Sequence, residues 1–201
     1  MDNTVFIVSY KNNNEWNPIL LKSELRFKTN GFKVKKIAGY NLKNNPNIKR
    51  YEVVYLNLLN KVIPTLEKSK INTDGFFIAE DDAYLSDNID YNYLKDRIVK
   101  IKNYKDKIIR IGYQKILKHM NSKYVVGTQL IWIPIKQISK IKTIMGNTKP
   151  QHLDGFLSKL KGIPIVLLDS NIQIKNKKLY VKEIEHHSSI LGKIRQGLKV
   201  L

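Results

Sequence analysis

An apolar segment that runs directly into three consecutive acids constrains the fold of this chain more than any other feature. Residues 75–82 read Gly-Phe-Phe-Ile-Ala-Glu-Asp-Asp. The apolar part predicts a buried strand, and the ligands of α/β sheets bind outside the carboxyl ends of such strands. Crowded carboxylates repel one another and lose hydration there, so the cluster usually needs a compensating cation. We interpret the segment as a divalent-metal site that handles a phosphorylated substrate.

The three acids cannot all serve one ligand while the chain stays extended, because successive side chains on a strand point to opposite faces. We assign Asp82 to the metal, and Asp81 to the metal or to the sugar–ribose part of a donor. Glu80 could instead pair with a basic residue within the fold. The alternative interpretation is an exposed acidic turn, which the preceding apolar run disfavours.

Strand and helix patterns alternate in the first half of the chain. Short apolar runs predict strands at 5–9, 32–38 and 76–79, and apolar stripes at helical spacing predict helices over 16–27 and 48–66. This order is typical of βαβ units. We therefore expect an α/β fold with a mostly parallel, Rossmann-like central sheet flanked by helices.

The second half of the chain is more mixed. Strands are predicted at 107–112, 124–133 and 163–168, with helical patterns around 138–145 and 153–160. Pro164 favours an edge position for the last strand, because proline cannot donate to a central ladder. No repeat, linker or shift in composition divides the chain, so we expect one domain over 1–201.

The bulk composition limits the compartment and the partners. The chain has no cysteine, which excludes disulfides and thiolate metal sites, and it has no apolar run of membrane-spanning length. Its start lacks the pattern of a signal peptide, so we expect a cytoplasmic protein without a membrane span.

The formal charge of +19, from 36 basic and 17 acidic residues, attracts polyanions. Candidate partners are nucleotide phosphates, an anionic membrane surface bound peripherally, and nucleic acid. The alternative is that an AT-rich genome has supplied many lysines to a solvated surface.

Two further groups of residues could carry chemistry. Asp154 lies near the start of a predicted helix and off its apolar face, where it could act as a general base or simply complement the helix dipole. His186 and His187 are adjacent in a chain with four histidines, and either could complete a metal shell begun by carboxylates. Equally, one histidine could pack and the other could be solvated.

Other residues could bind a nucleotide. Ser9 and Tyr10 end the first strand, at the edge of the sheet that faces the nucleotide crevice, where Tyr10 could stack on a base. Lys193 and Arg195 could reach pyrophosphate oxygens if the tail folds over the donor. All four could also be ordinary core-edge or surface residues.

Four segments together resemble the GT-A glycosyltransferases, especially the family 25 type and the small capsid-modifying transferases of large DNA viruses. Residues 77–85 are similar to the family's strand with an acidic metal motif, and residues 124–135 to its Gly-Thr strand leading into a helix. Residues 150–157 resemble the next segment, which carries an acid near a helix start. Residues 187–190 resemble the short Ser-containing motif near the C-terminus.

The resemblance implies a GT-A-like domain with residues 1–115 as its nucleotide-sugar-binding half and 116–201 as its acceptor-binding half with a basic tail. It implies a nucleotide diphosphate sugar, expected to be a UDP-sugar, as donor, and a glycan or glycoprotein hydroxyl as acceptor. It also implies a Mn²⁺ or Mg²⁺ ion. A viral origin would place the protein in the host cytoplasm.

The resemblance assigns roles to five residues of this sequence. Asp82 and Asp81 become metal and donor residues, Asp154 becomes the base, and His186 or His187 becomes a third metal ligand. The sequence leaves open the sugar, the acceptor, and whether the anomeric carbon is inverted.

Two other functions compete with sugar transfer. A metal-dependent nuclease could use Glu80, Asp81 and a lysine of a neighbouring strand such as Lys107, and +19 would suit DNA. A noncatalytic basic module could bind nucleic acid or membrane. Sugar transfer explains the ordered motifs best, so nucleic acid is not the expected partner.

Overall fold

The computed structural model describes residues 1–9, 18–69, 73–81, 83–85, 89–112, 115–119, 122–126, 130–168 and 184–186. Ten strands lie within these ranges: β1 Thr4–Val8, β2 Lys33–Ile37, β3 Gly75–Glu80, β4 Ala83–Leu85, β5 Ile108–Gly112, β6 Lys115–His119, β7 Ser122–Val126, β8 Leu130–Pro134, β9 Ile165–Leu167 and β10 Ile184–His186.

Six α-helices accompany them: α1 Pro18–Thr29, α2 Val53–Asn57, α3 Ile63–Ser69, α4 Tyr91–Val99, α5 Ile138–Gly146 and α6 Leu153–Lys159. A 3₁₀ turn at Arg50–Glu52 leads into α2, and a π turn at Leu58–Val62 joins α2 to α3.

The central sheet has six strands in the order β2-β1-β3-β8-β5-β9. Within it, β2, β1, β3, β5 and β9 run in one direction and β8 runs against them. The predicted α/β fold with a mostly parallel sheet is therefore confirmed. Because the parallel strands share a direction, the carboxyl ends of β1 and β3 lie side by side, with Val8 opposite Glu80.

Helices cover both faces of the sheet, which explains why β1, β3 and β8 are almost continuously apolar. One face carries Phe6 and Ile78 and is covered by α2, α3, α5 and α6. The other face carries Ile7 and Phe77 and is covered by α1 and α4. Strand β2 lies at one edge, where three exposed lysines of its Lys-Val-Lys-Lys-Ile sequence keep that edge soluble.

The second half departs from the sequence prediction in one respect. The single strand predicted at 124–133 is wrong, because the structure forms two strands there. β7 pairs with β6 in a separate antiparallel hairpin, and β8 enters the central sheet. The predicted edge strand after Pro164 is confirmed, since β9 pairs only with β5 at the far edge of the sheet.

Candidate functional site

The described part of the candidate site centres on a buried hydrogen bond between the carboxyl ends of β1 and β3. The Ser9 hydroxyl donates to Oδ2 of Asp81 over 2.6 Å. The two residues are only 3% and 4% exposed. Such a bond to a carboxylate is short and strong, because the acceptor is charged. The sequence placed both residues at this edge, and the structure joins them.

Helix α2 and the π turn after it hold the main chain just beyond the carboxyl ends of β1 and β2. Nδ2 of Asn57 donates to the carbonyl oxygen of Ser9 over 3.0 Å. One helical turn later, the Lys61 ammonium donates to the carbonyls of Ala38 and Gly39, just beyond β2. Burial lowers the pKa of Lys61. The two side chains therefore bind main-chain carbonyls beyond two adjacent parallel strands.

Neither of these two donors was predicted from the sequence. Asn57 and Lys61 lie within a helical stripe whose apolar positions dominated the interpretation, and an i, i+4 pair of donors on a helix is usually solvated. The one available signal was an asparagine between Tyr55 and Leu58, both of which belong to the apolar stripe. Asn57 is fully buried, and no described residue donates to its Oδ1.

The acids at the end of β3 have different surroundings. Asp81 is buried and Glu80 is half-buried, while Asp82 lies outside the described residues. The ladder from β3 through β8 to β5 aligns Ile78, Ile131 and Arg110, so alternation places Glu80 and Arg110 on one face of the sheet. Pairing of Glu80 with a basic residue stays a prediction, and the nearly inaccessible Arg110 is a candidate on that face.

Arg110 could have been recognised from the sequence alone as a residue that needs a buried partner. It interrupts the apolar run of β5, and a charged residue within a buried strand pattern is rare unless it is paired.

Strand pairing brings the backbone of His186 next to the acidic segment. Strand β10 pairs antiparallel with β4, and the register sets His186 opposite Ala83, the residue that follows Asp82. His187 lies outside the described residues. The backbone thus brings a histidine position to the acidic segment, although more than a hundred residues separate them in the sequence.

The residue types of the predicted ligand set suit a divalent cation. Carboxylates at positions 81 and 82 and an imidazole at position 186 would supply oxygen and nitrogen ligands, which suit Mn²⁺. Among the side chains that the structure describes, no three histidines or acids form a cluster. The metal roles of Asp81, Asp82, His186 and His187 therefore stay predictions.

Asp154 lies in the first turn of α6, as its sequence pattern indicated. Its Oδ1 accepts the N–H of Gly155 over 2.7 Å, a contact that helps to satisfy the exposed donors of the helix start. Phe156 and Leu157 hold α6 in the core, and α6 packs next to β7. These contacts are compatible with helix capping and with a catalytic base, so the catalytic role stays a prediction.

A cleft of about 420 Å³ lies beside α2, beyond the carboxyl end of β2. Its apolar lining comes from Ile48, Leu56 and Pro150. The rest of the lining is polar: Tyr40, Asn47, Lys49, Glu52, Asn60 and Lys149. Close by, the rings of Tyr51 and His152 stack at 4.7 Å, which links the start of this helical segment to the start of α6.

The remaining predicted site residues, Tyr10, Lys193 and Arg195, lie outside the described residues. Lys107, the lysine named as an example for a nuclease site, precedes β5. It therefore lies at the opposite end of the parallel strands from the acids that end β3 and does not join them. Among the helices that the structure describes, none is long and apolar enough to cross a bilayer.

Comparison with known proteins gives a result at the level of the fold. No family model and no curated protein matches the sequence. A solved structure, described as a glycosyltransferase involved in the glycosylation of the major capsid of PBCV-1, is similar over 98% of this chain and 100% of the other. The TM-score is 0.58 and the sequence identity 9%. The predicted GT-A-like fold is confirmed.

The inositol-1-phosphate CTP transferase from T. maritima also aligns, over 99% of this chain and 98% of its own, at 13% identity. Its TM-score of 0.43 is too low to carry any inference.

Proposed function

We propose that this chain is a metal-dependent glycosyltransferase that moves a sugar from a nucleotide diphosphate sugar to a hydroxyl group of a glycan or glycoprotein. The observation that carries the proposal is the buried Ser9–Asp81 hydrogen bond, at adjacent carboxyl ends of a sheet whose fold is shared with a glycosyltransferase. Ligands of open α/β sheets bind at this edge.

The proposed metal site uses residues of the acidic segment and of the histidine motif. Asp82, with Asp81 and with His186 or His187, would hold Mn²⁺ or Mg²⁺, which neutralises charge on the departing diphosphate when bound. Ser9 holds the Asp81 carboxylate in one orientation.

The donor and the acceptor need further groups. Tyr10 would stack on the base of a UDP-sugar, and Lys193 and Arg195 would bind its diphosphate oxygens. Asp154 would accept the proton of the acceptor hydroxyl as its oxygen attacks the anomeric carbon. The half-buried position of Asp154 on a helix fixed in the core supports this role, because a base must be held in place and also reach the substrate.

Binding of the donor tests the proposal directly. We expect one nucleotide sugar to raise the melting temperature when MnCl₂ is present and to lose this effect in EDTA. Asp82→Ala should abolish the metal-dependent shift. Asp96→Ala, which removes an exposed acid from α4, should leave the shift unchanged and serves as the matched control. Failure of every nucleotide sugar, or a normal shift in Asp82→Ala, would refute the proposed site.

A further inference from the structure

We infer that Asn57 is a positioning residue of the candidate site. It acts through the main chain of Ser9, whose hydroxyl holds Asp81. The inference deepens the proposed function, since it names a residue that sets the geometry of the donor edge without touching the donor.

Ser9 is held on both sides of its α-carbon. Its N–H donates to the carbonyl of Ile37 over 3.0 Å, and its carbonyl accepts from Asn57 over 3.0 Å. With the main chain fixed in this way, the side-chain torsion is the freedom that Ser9 retains, and the hydroxyl uses it to reach Asp81. Loss of the Asn57 bond would release one of the two main-chain anchors.

The direction of the Asn57 amide follows from its partner. A carbonyl oxygen needs a donor, so Nδ2 must face Ser9 and Oδ1 must point away. That Oδ1 is buried, and none of the residues that the structure describes donates to it. A leucine of similar size would fill the space without burying a polar group. The bond to Ser9 therefore explains why an amide occupies this position.

A π turn follows Asn57 in the same helical segment. The N–H of Ile63 bonds to the carbonyl of Leu58, five residues earlier, which is the π pattern. The turn holds one residue more than an α turn, so the residues after it are shifted by about 100° around the helix axis relative to a continuous α-helix. This shift brings Val62 and Leu66 closer to the direction of Asn57, and all three side chains are buried. Turns of this kind occur often at functional sites.

Four variants test the inference. Asn57→Ala removes the donor, and Asn57→Asp keeps the shape but cannot donate to the Ser9 carbonyl. Asn92→Asp makes the same change at an exposed position of α4, and Val62→Ala destabilises the same helical segment without removing the hydrogen bond to Ser9. Two quantities are measured: the hydrogen-exchange rate of the Ser9 amide by NMR, and the dissociation constant of UDP-sugars in MnCl₂ by calorimetry.

We expect both Asn57 variants to exchange the Ser9 amide about tenfold faster than Val62→Ala, and to bind the donor about tenfold more weakly, because one buried hydrogen bond corresponds to about one decade in an equilibrium. Asn92→Asp should match the wild type in both measurements. If Asn57→Asp does not fold, Asn57→Ala gives the same two readouts.

Two results would overturn the inference. One is a Ser9 exchange rate no faster in the Asn57 variants than in Val62→Ala. The other is faster exchange with donor affinity no lower than in Val62→Ala, which would reduce Asn57 to a structural residue. If the wild type binds no nucleotide sugar, the proposed function fails, and the Ser9 exchange rates alone then decide whether Asn57 fixes this edge.

Discussion

Removal of the Ser9 hydroxyl should cost more stability than removal of an equally buried hydroxyl elsewhere. In Ser9→Ala, Oδ2 of Asp81 loses a donor at 2.6 Å in a place that water barely reaches. A hydrogen bond to a charged group contributes about 1.5–3 kcal/mol. We expect the free energy of unfolding to fall by about 2–3 kcal/mol. For a chain of this length the melting temperature should fall by about 4–12 °C.

Ser23→Ala is the matched control. The Ser23 hydroxyl is equally buried and donates over 2.5 Å to the main-chain carbonyl of Ala83, which is a neutral acceptor. Its removal should cost about 1 kcal/mol. Urea unfolding followed by circular dichroism at neutral pH measures both variants. Equal losses in the two proteins would refute the view that Ser9 binds a charged carboxylate that the fold must hold in place.

Two further predictions concern the start of β3. Gly75→Ala should destabilise the protein by about 3 kcal/mol or more, because a Cβ at this position would overlap the indole ring of Trp132; urea unfolding measures the loss, and a loss below 1 kcal/mol would contradict the packing. Hydrogen bonds from Lys105 and Tyr104 hold the pKa of Asp74 below its ordinary value. The stability that Asp74 contributes is therefore present above its unfolded pKa and is lost as the pH falls through the lowered folded pKa. Asp74→Asn should melt at a lower temperature than the wild type at pH 7, with the difference vanishing in acid; a difference independent of pH would contradict this assignment.

Local patterns in the sequence were sufficient for most of the sheet. The apolar runs of β1 and β3 are buried on both faces, so their composition alone indicated central parallel strands. The segment 124–133 was misread because two adjacent apolar runs can belong to one strand or to two. Only the pairing partners decide this, and here β7 pairs with β6 while β8 pairs with β3 and β5.

The candidate site was predictable in part. An acidic cluster after an apolar run identified Asp81, and the order of strands placed Ser9 at the same edge of the sheet. The contribution of Asn57 was not predictable, because it depends on which main-chain carbonyl the folded helix meets. Neither hydrophobic period nor residue type reports that contact.

By itself, the sequence determined the alternation of strands and helices, the edge at which acids collect, and the basic character of the surface, since these follow from the order and polarity of neighbouring residues. The tertiary structure decided which distant groups meet: Ser9 with Asp81, Asn57 with Ser9, and the backbone of His186 with that of Ala83. These contacts depend on strand order, on strand register and on the rotation of each helix about its axis, which arise from packing across the whole domain.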